Sequence, residues 1–205
     1  MEFILTESEF NEDNTAWNGN RFLMGNGYFG IRGTLEEYTK KQMCAVNMAG
    51  IYDKMGNSWR ESVNAPNPLY TYIKVNGKIY ALPDEKPKFH QQELDFRYGI
   101  HSRVTHWQTE HGNITVVCER FASIARQHNI AMKYTFSVDF DCEAEIITGI
   151  DGDVWDINGP HFVKMKMGSK DGADYVTGMT GEKNISVTVK EYIRTDFQAE
   201  QTNQN

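Results

Sequence analysis

Apolar and polar residues alternate with a period of two over much of the chain, which is the pattern of β-strands that bury one face. From Ile130 to Phe140 the even positions are apolar or aromatic, and the odd positions are mostly polar. The same alternation runs from Ile185 to Val189, and Phe162–Met167 is a further candidate strand. Phe121–Arg126 fits either a helical turn or a continued strand. The pattern therefore predicts half-buried strands and few helices.

Turn sequences separate these runs at short intervals. Asn76-Gly77 lies between the strand-like segments Tyr70–Val75 and Lys78–Leu82, and Asp171-Gly172 is a second pair of this kind. Such pairs favour tight hairpins. Short strands joined in this way are typical of an antiparallel β-sandwich. The sequence predicts a mainly β fold, an antiparallel β-sandwich, as a single domain over residues 1–205.

The densest glycine cluster is Gly25–Gly33, which reads Gly-Asn-Gly-Tyr-Phe-Gly-Ile-Arg-Gly. Glycine lets a ligand or another backbone approach closely. The segment lacks the Gly-Lys-Ser/Thr ending of a phosphate-binding P-loop and the strand-to-helix setting of a dinucleotide fold. It predicts a surface for close approach, either to a substrate or to another part of the protein.

Charge and cysteine usage narrow the class of protein. The 205-residue chain has a net charge of −7 with scattered Lys and Arg, which gives no electrostatic footprint for nucleic acid or an anionic membrane. Three widely spaced cysteines without a Cys-x-x-Cys pair fit a reducing cytoplasm. The N-terminus lacks the features of a signal peptide, and no apolar run reaches the ~20 residues that span a bilayer. We therefore expect a cytoplasmic protein without nucleic-acid or membrane partners.

Metal-binding patterns are weak. Asp151–Asp156 resembles an acidic calcium loop, but it lacks the ligand spacing of an EF-hand, and an Asp-rich turn is the preferred interpretation. His101, His106 and His111 recur every five residues, which on a strand places neighbours on opposite faces. The sequence predicts no metal site and no cofactor.

Glycoside hydrolysis commonly uses a pair of Asp or Glu carboxylates. The candidate pairs in this chain are Glu36-Glu37 and Asp139/Asp141. Nothing in the sequence marks either pair as desolvated, so solvated carboxylates on a polar sheet face are the preferred interpretation. Aromatic side chains can stack on sugar rings, although strands and cores also favour them. The candidates are Trp17, Tyr28, Tyr52, Trp59, Tyr70 and Tyr72. The residues alone predict a β-sandwich without a self-contained active site.

Several segments, in order and in register, resemble glycoside hydrolase family 65, which includes maltose, trehalose and kojibiose phosphorylases and acid trehalases. They are Asn20–Gly33, Leu94–Arg103, Glu119–Ser123, Ile130–Phe140 and Ile150–Val154. The resemblance implies an N-terminal β-sandwich of the super-sandwich, galactose-mutarotase-like type. In that family the sandwich is joined to an (α/α)6 barrel, which carries the general-acid Glu and the phosphate or water site.

Such a barrel does not fit within 205 residues, so the resemblance implies a non-catalytic domain of a longer enzyme of carbohydrate metabolism, with no catalytic residue here. The implied reaction is inverting attack of inorganic phosphate, the co-substrate, on an α-linked glucosyl disaccharide, with water replacing phosphate in the hydrolases. The implied partners are the enzyme's own C-terminal barrel, a second copy in a homodimer and a sugar ligand. Tyr28, Arg32 and Trp59 are the candidates for the rim of the substrate pocket or for interdomain contact.

Two alternatives stay open. A stand-alone carbohydrate-binding module would use exposed aromatics and the Gly25–Gly33 surface. A sugar mutarotase would need a histidine facing a carboxylate in a cleft, and His101 or His106 with Asp95 is the available pair. The polar tail after Thr195 is interpreted as a frayed end or as a cut inside a longer protein.

Overall fold

The computed structural model describes residues 3–197, within which lie fifteen strands and one short α-helix. The helix α1 is Thr15–Arg21, and 3-10 turns occupy Glu12–Asn14 and Lys40–Gln42. The strands are β1 (Ile4–Glu7), β2 (Met24–Gly25), β3 (Phe29–Ile31), β4 (Val46–Asp53), β5 (Glu61–Asn64), β6 (Asn67–Val75), β7 (Lys78–Tyr80), β8 (Phe89–Asp95), β9 (Ile100–Gln108), β10 (Asn113–Ala122), β11 (Ile130–Val138), β12 (Ala144–Asp151), β13 (Phe162–Lys170), β14 (Ala173–Thr180) and β15 (Ser186–Glu191).

All strand pairs among the described residues are antiparallel. The largest sheet has five strands in the order β1-β8-β9-β10-β11, and a four-stranded sheet follows chain order as β2-β3-β4-β5. Two three-stranded sheets have the orders β12-β6-β7 and β13-β14-β15. Neighbours in sequence are therefore mostly neighbours in the sheets, as hairpin connections require.

Two of these sheets face each other across a shared core. Ile73 and Val75 of β6 and Tyr80 of β7 pack in one cluster with Trp107 of β9 and Ile114 of β10. Because the two groups come from different sheets, the apolar faces meet as they do in a β-sandwich. The predicted fold class, a mainly β antiparallel sandwich with few helices, is confirmed.

The strand predicted from Ile130 is confirmed as β11, in which half-buried and exposed residues alternate along the whole strand. Tyr134 and Phe136 from its apolar face pack against the shared core. The predicted strands Phe162–Met167 and Ile185–Val189 correspond to β13 and β15. Period-two patterning was thus a reliable guide to the sheets.

The turn at Asn76-Gly77 joins β6 to β7 as predicted. Both residues have positive φ, 50° and 77°, which is the requirement of a type I′ hairpin turn. Asn tolerates this region and Gly occupies it freely, so the dipeptide fixes the hairpin and the register of Val75 opposite Lys78.

Helix α1 was not predicted from the sequence. It contains Asn18, Gly19 and Asn20, which are poor helix formers, and its buried residues are Asn18 and Gly19 rather than an apolar stripe. Among residues 3–197, no helix combines the length and apolar character needed to cross a bilayer. The end of the polar tail, residues 198–205, lies outside the described residues.

Candidate functional site

The glycine-rich segment folds as the β2–β3 hairpin, and Asn26 at its turn holds the hairpin to a neighbouring loop. The Asn26 side-chain oxygen accepts hydrogen bonds from the backbone N–H groups of Tyr28 and Phe29 at 3.0 and 2.8 Å. Its Nδ2 donates to the carbonyl oxygens of Ser123 and Gln127 at 2.7 and 3.0 Å. One side chain therefore uses both its donor and its acceptor to fix the hairpin against the loop after β10.

Gly33, at the end of the segment, lies against the residue that follows helix α1. A Cβ built on Gly33 would meet the Phe22 Cβ at 2.3 Å and the Phe22 carbonyl carbon at 2.6 Å. The Gly33 N–H donates to the carbonyl oxygen of Gly19 at 2.8 Å. At this position the glycine permits close approach of the chain to itself. This is one of the two kinds of close approach that the glycine cluster predicts.

A cleft of about 280 Å³ opens beside the hairpin. We call it the Arg32 cavity. It is lined by residues from the hairpin, from β4 and β5 and from the segment after β12, together with the end of α1. These are Asn20, Leu23, Gly30, Arg32, Ala45, Asn47, Glu61, Ser62, Asn64, Trp155 and Ile157. The lining combines one guanidinium, three side-chain amides, one carboxylate and an indole.

Arg32 is the only arginine or lysine among the residues that line this cavity. Its Nη2 donates to the carbonyl oxygen of Ala16 at 2.8 Å, and its guanidinium carbon lies 5.9 Å from the centre of the Trp155 ring. Its Nε is buried and has no hydrogen-bond partner among the described residues. Burial lowers the pKa of Arg32. This nitrogen lies against Gly19 of α1, where a Cβ would meet it at 2.8 Å, so it does not open to the cavity.

Two of the three amides of the cavity, Asn47 and Asn64, are hydrogen-bonded to the protein. Asn47 donates from Nδ2 to the Oδ1 of Asn64, and Asn64 donates from its own Nδ2 to the carbonyl oxygen of Trp155. These bonds fix the segment after β12 on the surface of β4 and β5. The cavity wall is thus built from three parts of the chain that are distant in sequence.

The three residues predicted for the pocket rim or the interdomain contact do not come together. Arg32 lines the cavity, whereas Tyr28 stacks on His128 with ring centres 4.3 Å apart. Trp59 is 64% exposed in the connection between β4 and β5 and is not among the lining residues of the described cavity. Sequence reasoning missed Glu61, Asn64 and Trp155, for which no local motif exists.

Glu36 and Glu37 are buried inside the sandwich, and the interpretation that they are solvated is wrong. Arg103 of β9 donates to Glu36 at 2.8 Å and to Glu37 at 2.6 Å, and Arg120 of β10 donates to Glu36 at 2.9 Å. Burial acts to raise the pKa of Glu36, but Arg120 and Arg103 outweigh burial and hold that pKa at about 2. Burial raises the pKa of Glu37 against the pull of Arg103. The pair is part of a closed ionic network and does not face the cavity.

Three further titratable groups singled out from the sequence, Asp139, Asp95 and His101, have structural roles. Asp139 accepts hydrogen bonds from the backbone and side chain of Asn113, and Asp95 accepts from the backbone of the turn before β9. His101 is fully buried, and burial holds its pKa well below the usual value. No histidine–carboxylate pair of the mutarotase kind is formed by His101 and Asp95 in the described structure.

Comparison with known proteins identifies the family. The model of the N-terminal domain of glycosyl hydrolase family 65 matches residues 5–205. The nigerose phosphorylase of Lachnoclostridium phytofermentans is 51% identical over 166 residues, which is 81% of this chain and 22% of that protein. The 1,2-alpha-glucosylglycerol phosphorylase of Bacillus selenitireducens is 36% identical over 182 residues, 88% of this chain and 24% of that protein.

A solved structure supports the fold. A putative kojibiose phosphorylase from human microbiome superposes with a TM-score of 0.84 at 20% identity, covering 97% of this chain and 29% of that one. The chain belongs to glycosyl hydrolase family 65, and the part of the family that it matches is the N-terminal domain. It spans less than a quarter of the length of the two curated relatives.

Proposed function

We propose that this chain is the non-catalytic N-terminal domain of an inverting disaccharide phosphorylase, in which it supports a C-terminal catalytic barrel. The observation that carries the proposal is the burial and ion pairing of Glu36 and Glu37. These buried acids are neutralised by Arg103 and Arg120 inside the sandwich, so they cannot reach a glycosidic bond. We therefore do not assign the general acid to this pair and place it in the C-terminal barrel.

The reaction of the whole enzyme would be attack of inorganic phosphate on the anomeric carbon of an α-linked glucoside, with release of β-glucose 1-phosphate. The two curated relatives are phosphorylases by name, which favours phosphorolysis over hydrolysis for this chain. Neither of them is named as a separate carbohydrate-binding module, so their names do not favour that alternative. A cytoplasmic location fits the cysteines, which are all free, with Cys44 and Cys118 buried.

The Arg32 cavity is the surface that we assign to the barrel. Its rim carries two exposed apolar side chains, Leu23 at 50% and Ile157 at 65% exposure. Its wall carries the guanidinium of Arg32 and the side-chain amides of Asn20, Asn47 and Asn64. An apolar rim around a polar wall suits a protruding segment of the barrel that ends in a polar group. Homodimer formation and direct sugar binding stay predictions.

The first test is an activity assay. The 205-residue chain should release no glucose 1-phosphate from nigerose, kojibiose, maltose or trehalose in the presence of phosphate. A chimera in which this chain replaces the matching N-terminal part of the Lachnoclostridium phytofermentans nigerose phosphorylase should be active. Turnover by the isolated chain would contradict the non-catalytic role.

The cavity assignment is tested in the same chimera with two isoleucines of similar exposure. Ile157→Asp, on the cavity rim, should reduce activity and lower the melting temperature of the chimera. Ile124→Asp is the matched control, because Ile124 is 79% exposed and does not line the cavity. Equal effects of the two substitutions would contradict the assignment of this surface to the barrel.

A further inference from the structure

A histidine surrounded by three carboxylates lies next to the Arg32 cavity. Asp53 ends β4, Glu61 begins β5, and Asp156 and His161 belong to the segment between β12 and β13. Asp53, Glu61 and His161 are buried, with exposures of 1%, 8% and 1%, and Asp156 is half-buried. We call these four residues the His161 cluster.

The imidazole of His161 has a carboxylate on each side. Its Nε2 lies 2.7 Å from Oε1 of Glu61, and its Nδ1 lies 3.4 Å from Oδ2 of Asp53. One potential ligand atom from each of Glu61, Asp156 and His161 falls within 4.8 Å of the other two. Three ligand atoms this close can be reached by one metal ion after small side-chain shifts.

The carboxylates of the His161 cluster outnumber the cationic side chains that pair with them in the described structure. In the described part of the chain, no lysine or arginine forms an ion pair with Asp53, Glu61 or Asp156. The network of Glu36 and Glu37 in the same molecule has two guanidiniums for two carboxylates. Three carboxylates around one imidazole leave a net negative charge even when the imidazole is protonated, and buried charges are normally paired or bound to metals.

Two polar atoms of the His161 cluster have no hydrogen-bond partner within the described residues, although both are buried. They are Nδ1 of His161 and Oδ1 of Asp156. If the single proton of a neutral imidazole sits on Nε2 and is donated to Glu61, the bare Nδ1 faces the Asp53 carboxylate, which is repulsive. A proton on Nδ1 removes this repulsion but points the Nε2 lone pair at the Glu61 oxygen 2.7 Å away, and a metal ion bound by both atoms would relieve that second repulsion.

We propose that the His161 cluster binds a divalent transition-metal ion. His161 through Nε2, Glu61 and Asp156 are the three protein ligands. Asp53 is a positioning residue that accepts the Nδ1–H of His161 and holds the ring, as carboxylates commonly do for metal-bound histidines. The sequence pattern predicted no metal site, and the names of the two curated relatives mention no metal.

The donor set indicates the class of ion. One imidazole nitrogen and two carboxylates suit Zn²⁺ or Mn²⁺, whereas Ca²⁺ and Mg²⁺ prefer oxygen ligands alone. The backbone N–H and side chain of Asn158 donate to Glu61 at 2.8 and 3.0 Å, which fixes this carboxylate. Because Glu61 also lines the Arg32 cavity, further coordination positions can be filled by solvent from that side. The ion would tie the segment after β12 to β4 and β5.

The inference is tested by metal binding alone, so its failure is distinct from failure of the proposed function. The chain is treated with a chelator, dialysed against zinc, manganese or calcium chloride in turn, and analysed by plasma mass spectrometry. The expected result is one zinc ion retained per chain, with a zinc-dependent rise of the melting temperature. Anomalous scattering at the zinc edge should place the ion between His161, Glu61 and Asp156.

Variants separate this site from adventitious zinc binding. Asp156→Asn removes a half-buried ligand and should abolish stoichiometric retention, as should His161→Gln. Asp53→Asn should weaken zinc binding by about 10–100-fold, the usual effect of losing an outer carboxylate. Asp153→Asn and His111→Gln change exposed residues of the same types and should retain zinc like the wild type.

Three outcomes would overturn the inference. They are no retention of zinc or manganese by the wild type, retention of calcium alone, and retention that survives Asp156→Asn in a chain shown by circular dichroism to be folded. Because Asp156 is half-buried, this variant keeps the test informative even if His161→Gln unfolds the protein.

Discussion

Arg103 and Glu36 form an ion pair, with Nε 2.8 Å from the carboxylate and both side chains at most 1% exposed. The same guanidinium also binds both oxygens of Glu37, and Arg120 binds the second oxygen of Glu36. Each charge is therefore met by an opposite charge with good geometry, which is the condition under which buried ions are tolerated. This network links the loop after β3 to strands β9 and β10.

Glu36→Gln should strongly destabilise the fold. The substitution keeps the size of the side chain but removes the carboxylate that pairs with Arg120, and it leaves Arg103 with Glu37 as its carboxylate partner. We expect the free energy of unfolding to fall by about 3–5 kcal/mol, the range found when one partner of a buried pair is removed. Urea denaturation of the purified chain measures this loss.

Glu119→Gln is the matched control for that experiment, because Glu119 lies on β10 next to Arg120 but is exposed. Its effect should stay within about 0.5 kcal/mol, as is usual for surface positions. If the two variants were equally stable, the buried network would have no special energetic importance.

Stability should fall below pH 6.5 because of His90. Burial, followed by the nearby Arg103, lowers the pKa of His90 to about 4, compared with 6.5 for the free side chain. Below pH 6.5 the unfolded chain binds a proton at this position before the folded chain does. The stabilisation is therefore fully present above pH 6.5 and is lost as the pH falls towards 4, by roughly 3 kcal/mol in total.

His90→Gln should reduce this pH dependence, because glutamine does not take up the proton. The measurement is the free energy of unfolding by urea at a series of pH values between 7 and 4. The buried His101, whose pKa is also lowered, should leave a residual dependence in the variant. A slope identical to that of the wild type would show that His90 titrates normally in the folded protein.

The limits of sequence reasoning are clear at Glu36. The alternation in β11 and the Asn76-Gly77 turn are local signals, and both predicted the structure correctly. The partners of Glu36 are 67 and 84 positions away in sequence, so nothing near it distinguished a buried carboxylate from a solvated one. His161 and Glu61 are 100 positions apart, and their meeting was equally invisible before the fold was known.

Asn26→Asp should destabilise the hairpin although it hardly changes the shape of the side chain. The Oδ1 acceptor is kept, but the amide that donates to Ser123 and Gln127 becomes a carboxylate oxygen facing two carbonyl oxygens. Loss of two hydrogen bonds to a part-buried group predicts a decrease of about 1–3 kcal/mol in the free energy of unfolding. Asn57→Asp, at an exposed turn position, should have little effect in the same urea titration.

Gly33→Ala and Gly30→Ala should differ sharply although they are three positions apart in one motif. A Cβ at Gly33 would meet backbone and Cβ atoms of Phe22 at 2.3–2.7 Å, and these atoms cannot move without displacing the end of α1. A Cβ at Gly30 would meet only the Asn47 Cβ at 3.9 Å, which is ordinary contact. We expect Gly33→Ala to lower the free energy of unfolding by about 1–3 kcal/mol or more, as overpacking does. Gly30→Ala should leave the free energy of unfolding nearly unchanged. If the two variants lost equal amounts of stability, Gly33 would not be needed for the close packing of the chain against Phe22.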